Sequence, residues 1–281
     1  KKFKGFYAPG IKAIPEFFNA STFLRNSNNT KADIVTSIAM FYDLKDPNAF
    51  VANIAECLSS NGIWNLEQSY MPSMLSQNAY DTVCQEHIEY YSLKVIKDLL
   101  EANNLEIIDV AFNNINGGSF SVIAGHKNSI HTPNKAVIDW ILSKEYKLNL
   151  HTPTPYREFE HKAYQHKSDL MELINHLNSN GKRIAGYGAS TKGNVILQFC
   201  NISTKDLFGI AEVNPDKFGK FTPVSNIPIK SENEIKNEKP DYLLVLPWHF
   251  RENIISKEQE FIRNGGKLIF PLPEIEIVTD E

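Results

Sequence analysis

The stretch Lys182–Asn201, KRIAGYGASTKGNVILQFCN, decides the fold. It opens as an apolar strand, turns at Gly186-Tyr187-Gly188-Ala189-Ser190-Thr191-Lys192-Gly193, and runs on as a helix from Asn194. Three more strand-like runs follow: LFGIAEVNP (Leu207–Pro215), DYLLVLPWHF (Asp241–Phe250) and, after a helical segment, KLIFPLP (Lys267–Pro273). Apolar strands alternating with helices imply a parallel sheet covered on both faces. Glycines between a strand and a helix let the backbone approach a phosphate, and the helix N-terminus favours the anion. A Rossmann-like nucleotide domain is therefore expected over residues 181–281.

The turn has its own chemistry. Ser190 and Thr191 can cap the helix or donate to a ligand, and Lys192 adds positive charge. The spacing is not GxGxxG, and Lys192-Gly193 reverses the Gly-Lys order of a P-loop. Neither a typical NAD site nor an NTPase site is matched, so an NAD-dependent oxidoreductase is the weaker alternative. The plain alternative to a ligand cradle is a tight structural turn. Glu212 ends the next strand, where Rossmann-like sheets place an acid against ribose hydroxyls. A solvated strand-end acid explains it equally well. Asn214-Pro215-Asp216-Lys217 reads as a turn, with Lys217 a candidate phosphate contact.

Upstream, Ile11–Phe18 could form a short strand, and Ala32–Met40 (ADIVTSIAM) reads as a buried one. Pro47–Leu58 has helical spacing with Pro in its first turn. Gly62–Glu67 reads as a strand, and Ser92–Leu100 as an amphipathic helix capped by Ser92. Leu105–Phe112 and Ser119–Ala124 are joined by a short NNINGG turn and must form a hairpin. The polar stretch 129–180, with HTPTP at His151–Pro155 flanked by helical segments, reads as a helical connector. The expected organisation is 1–128, 129–180 and 181–281.

The bulk numbers exclude several classes. The net charge of −4 and the lack of a basic run argue against nucleic acid. No apolar stretch approaches the ~20 residues of a membrane helix. Cys57, Cys84 and Cys200 form no CxxC pair, so no cysteine metal site or disulfide framework is indicated, and a cytoplasmic setting fits.

Two further clusters can carry chemistry. Tyr80-Asp-Thr-Val-Cys84-Gln85-Glu86-His87-Ile-Glu-Tyr90-Tyr91 lies in the loop after GIWNLE. Ligands of open α/β sheets bind beyond the carboxyl ends of strands. A Glu beside a His can orient the imidazole for general-base work. Read alone, it is an ordinary polar loop. Asn116-Gly117-Gly118-Ser119 is a glycine hairpin turn that could also touch a substrate.

Taken together these segments resemble a family. It is that of the S-adenosylmethionine-dependent C-methyltransferases that act on keto-sugars linked to a nucleoside diphosphate in deoxysugar biosynthesis. The resemblance rests on SIAMFYDLKDP (37–47), EQSYMPSML (67–75), NAYDTVCQEHIEYYSL (78–93), NGGSFSV (116–122), GYGASTKGN (186–194), EVNPDKFG (212–219), PDYLLVLPWHF (240–250) and FPLP (270–273). It implies an α/β architecture: a class I methyltransferase domain followed by a Rossmann-like domain that helps hold the nucleotide-sugar. By resemblance His87 is the base that removes a proton beside the ketone, and Glu86 orients it. The family usually has His-Glu-His here, and Gln85 stands at the first position. Ser37, Ile38, Ala39, Met40 and Tyr42 would line the cofactor pocket. Glu16, Phe17 and Phe18 would meet its adenine end. Tyr80, Cys84, Asn116, Gly117, Gly118, Ser119, Tyr187, Gly188, Ala189, Ser190, Lys192, Gly193, Asn194, Glu212, Lys217 and His249 would contact the substrate.

The sequence opens on KKFKGFYAPG, and its first methionine is Met40. The resemblance places this opening just after the second strand of the methyltransferase domain. A preceding segment of the same protein is therefore expected to carry the glycine-rich cofactor loop. An N-terminal zinc module, which the family also has, would precede it. Without that segment, poor binding of S-adenosylmethionine is expected, and a nucleotide-sugar-binding role without catalysis is the alternative reading.

Overall fold

The computed structural model describes residues 7–280, except the side chain of Asn116. The chain folds as two compact units. The first runs to Gln68 and takes in Leu93–Ala111 and Ser121–Ile141. The second takes Ser69–Ser92, Phe112–Phe120 and everything described from Leu142 on. No described helix is long and apolar enough to cross a membrane.

In the first part of the chain the elements are α1 (Ala20–Asn26), β1 (Ala32–Ile38), α2 (Pro47–Cys57), β2 (Leu58–Ser69), α3 (Met71–Ser76), α4 (Leu93–Ala102), β3 (Leu105–Asn113) and β4 (Ser119–His126). Four strands form a sheet in the order β1-β2-β4-β3, with β1 and β2 parallel. β3 and β4 are neighbours, as the short connection requires. Asp46 caps α2 by accepting from the Ala49 amide at 2.9 Å, and Pro47 sits where its missing N–H costs nothing. Phe41, Phe50 and Trp64 pack edge-on or tilted, with centroids 5.8–6.2 Å apart in the Phe41–Trp64 and Phe50–Trp64 pairs. Such pairs add to the stabilisation from burial alone.

Two expectations fail here. Ile11–Phe18 is irregular, and Pro15 in its middle has no N–H for a ladder. β1 is not buried: Ile34 and Ile38 are 67% and 60% exposed, and Ser37 is the strand's one buried residue.

The rest comprises α5 (Lys135–Lys147), α6 (Thr154–Ser179), β5 (Ile184–Tyr187), α7 (Thr191–Phe199), β6 (Ile210–Glu212), β7 (Ile229–Ser231), α8 (Glu232–Asn237), β8 (Tyr242–Val245), α9 (Arg251–Lys257), α10 (Gln259–Arg263), β9 (Lys267–Phe270) and β10 (Glu276–Val278). Six strands form a sheet in the order β10-β9-β8-β5-β6-β7. All neighbours pair in parallel except β10, which runs antiparallel to β9. The chain winds outward from β5 to one side through β6 and β7, then crosses to β8 and β9. That reversal creates a crevice at the carboxyl ends of β5 and β8.

The boundaries differ from the sequence-based ones, because α6 is not a connector. Ala163, His166, Leu170, Ile174 and Leu177 recur at three- and four-residue spacing and are all buried. The four apolar ones join the core built around β5, β8 and β9. Residues 69–92, with the Tyr80–Tyr91 cluster, also belong to this second unit.

Candidate functional site

In the second unit, four separate stretches of sequence meet around Asp81. The first is a 3-10 turn, Tyr80–Thr82, which packs on α7. The second is the start of α7, with Lys192 in its first turn. The third is the 3-10 turn Trp248–Phe250, which leads into α9. The fourth is Ile115–Gly117, packed against that turn. Asp81 is fully buried, at 0% exposure. Its Oδ2 accepts from Trp248 Nε1 at 2.8 Å, and its Oδ1 has no hydrogen-bond partner. Burial pushes the Asp81 carboxyl up, while Trp248, Lys192 and the amides of Asp81 and Thr82 pull the other way.

Lys192 lies in the first turn of α7 and is half-buried. Burial lowers its pKa, and the neighbouring Asp81 and Cys84 oppose the shift. His249 is pushed down to about 4 by burial and by the Lys192 charge, so it is neutral at pH 7. Its Nδ1 is buried without a partner.

His87 is half-buried, and its Nδ1 lies 2.9 Å from the Thr82 carbonyl. A carbonyl only accepts, so Nδ1 must be the donor, and the neutral ring carries its lone pair on Nε2. The Thr82 carbonyl thus holds one edge of the ring; the sequence pointed to Glu86 for that task. Glu86 is exposed.

Several expected substrate contacts are occupied by the protein itself. The Tyr80 hydroxyl is buried at 3.0 Å from His166 Nδ1 and 3.5 Å from Cys200 Sγ. Ser119 Oγ donates to the Ile115 carbonyl at 2.9 Å and closes its own turn. Gly117 and Gly118 have positive φ, and a Cβ on Gly118 would lie 2.7 Å from that of Ser73. The Asn116 side chain lies outside the described residues. Cys84 is half-buried.

The glycine turn borders a separate cavity of about 400 Å³ at the strand reversal, lined among others by Tyr187, Gly188, Ala189, Ser190, Glu212 and Lys217. Ser190 caps α7, accepting from the Gly193 amide at 2.9 Å. Gly188 has φ +83°, and a Cβ there would sit 2.8 Å from the Pro247 ring. A Cβ on Gly193 would sit 2.8 Å from that of Leu246. Asn194 follows on α7, half-buried. Glu212 is engaged by the protein itself. Its Oε1 accepts from the Val213 and Asn214 amides at 2.8 and 3.0 Å. Its Oε2 accepts from the Ala189 amide and Lys217 Nζ, both at 3.1 Å. Burial opposes its ionisation, but the Asn214 amide, Lys217 and the Val213 amide outweigh it, and the pKa falls below the usual carboxylate range. Lys217 also donates to the Ala189 carbonyl at 2.8 Å. Glu212 and Lys217 therefore brace the turn: both Glu212 oxygens are filled, and Lys217 uses two of its three protons on Ala189 and Glu212.

In the first unit, the expected cofactor residues sit at and beyond the end of β1. Ser37 Oγ accepts from the buried Trp64 Nε1 at 2.9 Å. Ile38 is exposed, and Ala39 has φ +52°, a left-handed backbone that costs an alanine ~1–2 kcal/mol. Strain of this kind gathers at functional sites. Met40 and Tyr42 are half-buried. Glu16 accepts from Thr22 Oγ1 at 3.2 Å and pairs with Arg25 at 3.3 Å on the surface. Phe17 is 97% exposed, and Phe18 stacks at a tilt on Phe50, with centroids 5.2 Å apart.

Sequence reasoning passed over Asp81 and Trp248, though both lie in stretches that carry the family resemblance. The signal was an acid and an indole N–H in apolar surroundings, each of which needs a partner when buried.

Comparison with known proteins gives the family. A family model described as C-methyltransferase C-terminal domain matches residues 114–273, and one described as methyltransferase domain matches residues 2–110. The chain belongs to the C-methyltransferase family that this C-terminal domain defines. It is similar to C-methyltransferase NovU of Streptomyces niveus, with 30% identity over 273 residues. The match covers 97% of this chain and 65% of that relative, so the chain spans about two thirds of the relative's length. Solved structures give slighter likenesses. The M1.HpyAVI–SAM complex is 18% identical with a TM-score of 0.27, over 41% of this chain and 54% of that one. An O-methyltransferase family protein from Burkholderia thailandensis is 15% identical with a TM-score of 0.28, over 37% and 33%. At these scores neither bears on fold or chemistry.

Proposed function

We propose that this chain takes part in S-adenosylmethionine-dependent C-methylation of a keto-deoxysugar carried on a nucleoside diphosphate. The observation that carries the reading is the His87 ring, held by the Thr82 carbonyl in the tautomer a base needs, in a chain of the C-methyltransferase family. NovU, by its name, is a C-methyltransferase. A carbon beside a ketone is acidic enough for an imidazole to deprotonate once the enolate is stabilised. The C–H bond breaks, its proton goes to His87 Nε2, and its electron pair moves into the enolate. The Thr82 carbonyl then accepts from the imidazolium Nδ1–H and favours the charged ring. Ser37–Tyr42 and Phe17, with an exposed aromatic ring, an exposed strand end and the Ala39 turn, fit an adenosyl group. Bound there, S-adenosylmethionine supplies a methyl group on a cationic sulfur, an electrophile for carbon. The nucleotide is assigned to the cavity at the glycine turn, with a soluble, cytoplasmic role.

Solvent exchange tests the proposal without a methyl donor. In D₂O the chain should exchange deuterium into the carbon beside the ketone of a nucleoside-diphosphate keto-deoxyhexose. His87→Ala should slow this by about 10²–10⁴. A wild-type chain that binds the sugar nucleotide and exchanges nothing would refute the chemistry.

A further inference from the structure

The enolate oxygen needs a positive partner, and the structure holds a half-buried cation beside the base loop. Lys192 stands in the first turn of α7, the helix on which the 80–82 turn packs. Asp81, Cys84 and His249 lie within reach of its charge. Asp81 and Cys84 belong to the loop that carries His87, and Asp81 immediately precedes Thr82, whose carbonyl holds the His87 ring. Two buried polar atoms in this cluster lack partners, Asp81 Oδ1 and His249 Nδ1. Buried unpartnered atoms are costly, and in native structures they mark strain, a catalytic role or a bound water or ion. The remaining polar partner, the Trp248 indole, is already used to hold Asp81.

Resting on the proposed function, we infer that Lys192 binds the keto oxygen of the substrate and takes up its negative charge as the enolate forms, with Asp81 as the positioning residue that keeps this lysine charged. Lys192 is then no phosphate ligand, and the glycine turn and the lysine that follows it serve different parts of one substrate. A cation held in place and partly withdrawn from water stabilises developing charge better than one free in solution, because it reorganises less and is less screened. The neutral His249 fits beside it: a second cation there would weaken the ammonium and draw the oxyanion away. Charge balances without a further reactant. The proton leaves for His87, and the negative charge left on oxygen is matched by an ammonium already present.

The test compares two probes by calorimetry, a nucleoside diphosphate and the same nucleotide carrying a 4-keto-6-deoxyhexose. Wild type should bind the keto-sugar nucleotide more tightly. Lys192→Gln should remove about 10-fold of that difference and leave the affinity for the bare diphosphate unchanged, and exchange into the sugar should slow by about 10²-fold. Because Lys192→Gln leaves Asp81 uncompensated, the double variant Asp81→Asn/Lys192→Gln is measured beside it and should show the same loss. Asp81→Asn alone should lower the pH above which the keto-sugar preference disappears, a shift that a merely structural role would not give. Equal weakening of both probes would mean a phosphate ligand, and no weakening of either would mean no contact; each overturns the inference. The same holds if wild type shows no preference for the keto sugar. Loss of the preference in the variants with no exchange in wild type would keep the contact and sink the proposed chemistry instead.

Discussion

At the scale of single residues, identity and role separate. Gly188, Glu212 and Lys217 stand out in the sequence because a strand, a glycine and an acid come in Rossmann order. What the sequence leaves out is who occupies their lone pairs. Glu212 is filled on both oxygens by three amides and an ammonium, and Gly188 is fixed by Pro247, a residue far along the chain. Such long-range partners leave no local pattern. Two outcomes follow. Gly188→Ala should destabilise the second unit by about 2–4 kcal/mol, from the left-handed φ and the Pro247 clash together, as read by urea unfolding. Glu212→Gln turns an NH₂ toward donors that now lack an acceptor, and should cost about 1–3 kcal/mol by the same measure. If Glu212→Gln instead leaves stability intact and weakens nucleotide binding, the ribose role stands and the bracing role does not.

At the scale of elements, the strand–turn–helix reading of 182–200 carries over to β5, the Ser190 cap and α7 almost residue for residue, because apolar strands and caps are local signals. α6 was legible too, at its buried positions, but its polar, histidine-rich remainder hid it. An amphipathic helix with one buried stripe is mostly polar by count, so composition suggests a linker where periodicity shows a core face. Leu170 is the sharpest discriminator, being fully buried among the residues of the parallel sheet's core. Leu170→Ala should cost about 2–5 kcal/mol in urea unfolding. A connector helix would tolerate it within ~0.5 kcal/mol. β1 erred the other way. Its Ala-Asp-Ile-Val-Thr-Ser-Ile run looks buried because β-branched residues suit a covered sheet, yet Ile34 and Ile38 lie open.

At the scale of the whole chain, two histidines and Glu212 of the second unit lower stability on acidification, while the raised Asp81 carboxyl acts in the opposite direction. His249 is held down to about 4, by burial first and then by Lys192. His166 is lowered by burial, against the Pro271 carbonyl and Asp169. Both have folded pKa values below the unfolded ~6.5, so the unfolded chain takes up protons first as the solution is acidified. Their contribution is therefore complete above about pH 7, falls as the pH drops through 6.5, and for His249 is exhausted near its folded value of about 4. Glu212 is depressed, so its contribution is present above the unfolded carboxylate range near 4.5 and is lost below it. Neither histidine has a compensating rise on the alkaline side. The urea midpoint should accordingly be flat from pH 7 to 8 and fall steadily from 6.5 to 5, with a slope below about 1.4 kcal/mol per pH unit for each histidine. His249→Gln removes one of the two titrations and should flatten that fall by a visible part, while leaving the midpoint at pH 8 little changed. His166 offers the control: its Nδ1 takes the Tyr80 hydroxyl and its Nε2 the Pro271 carbonyl, so His166→Gln should lower the midpoint at every pH. A His249→Gln chain with the same acid fall as wild type would mean that His249 is charged in the folded protein at pH 6. Burial and the neighbouring Lys192 charge would then not be holding it down.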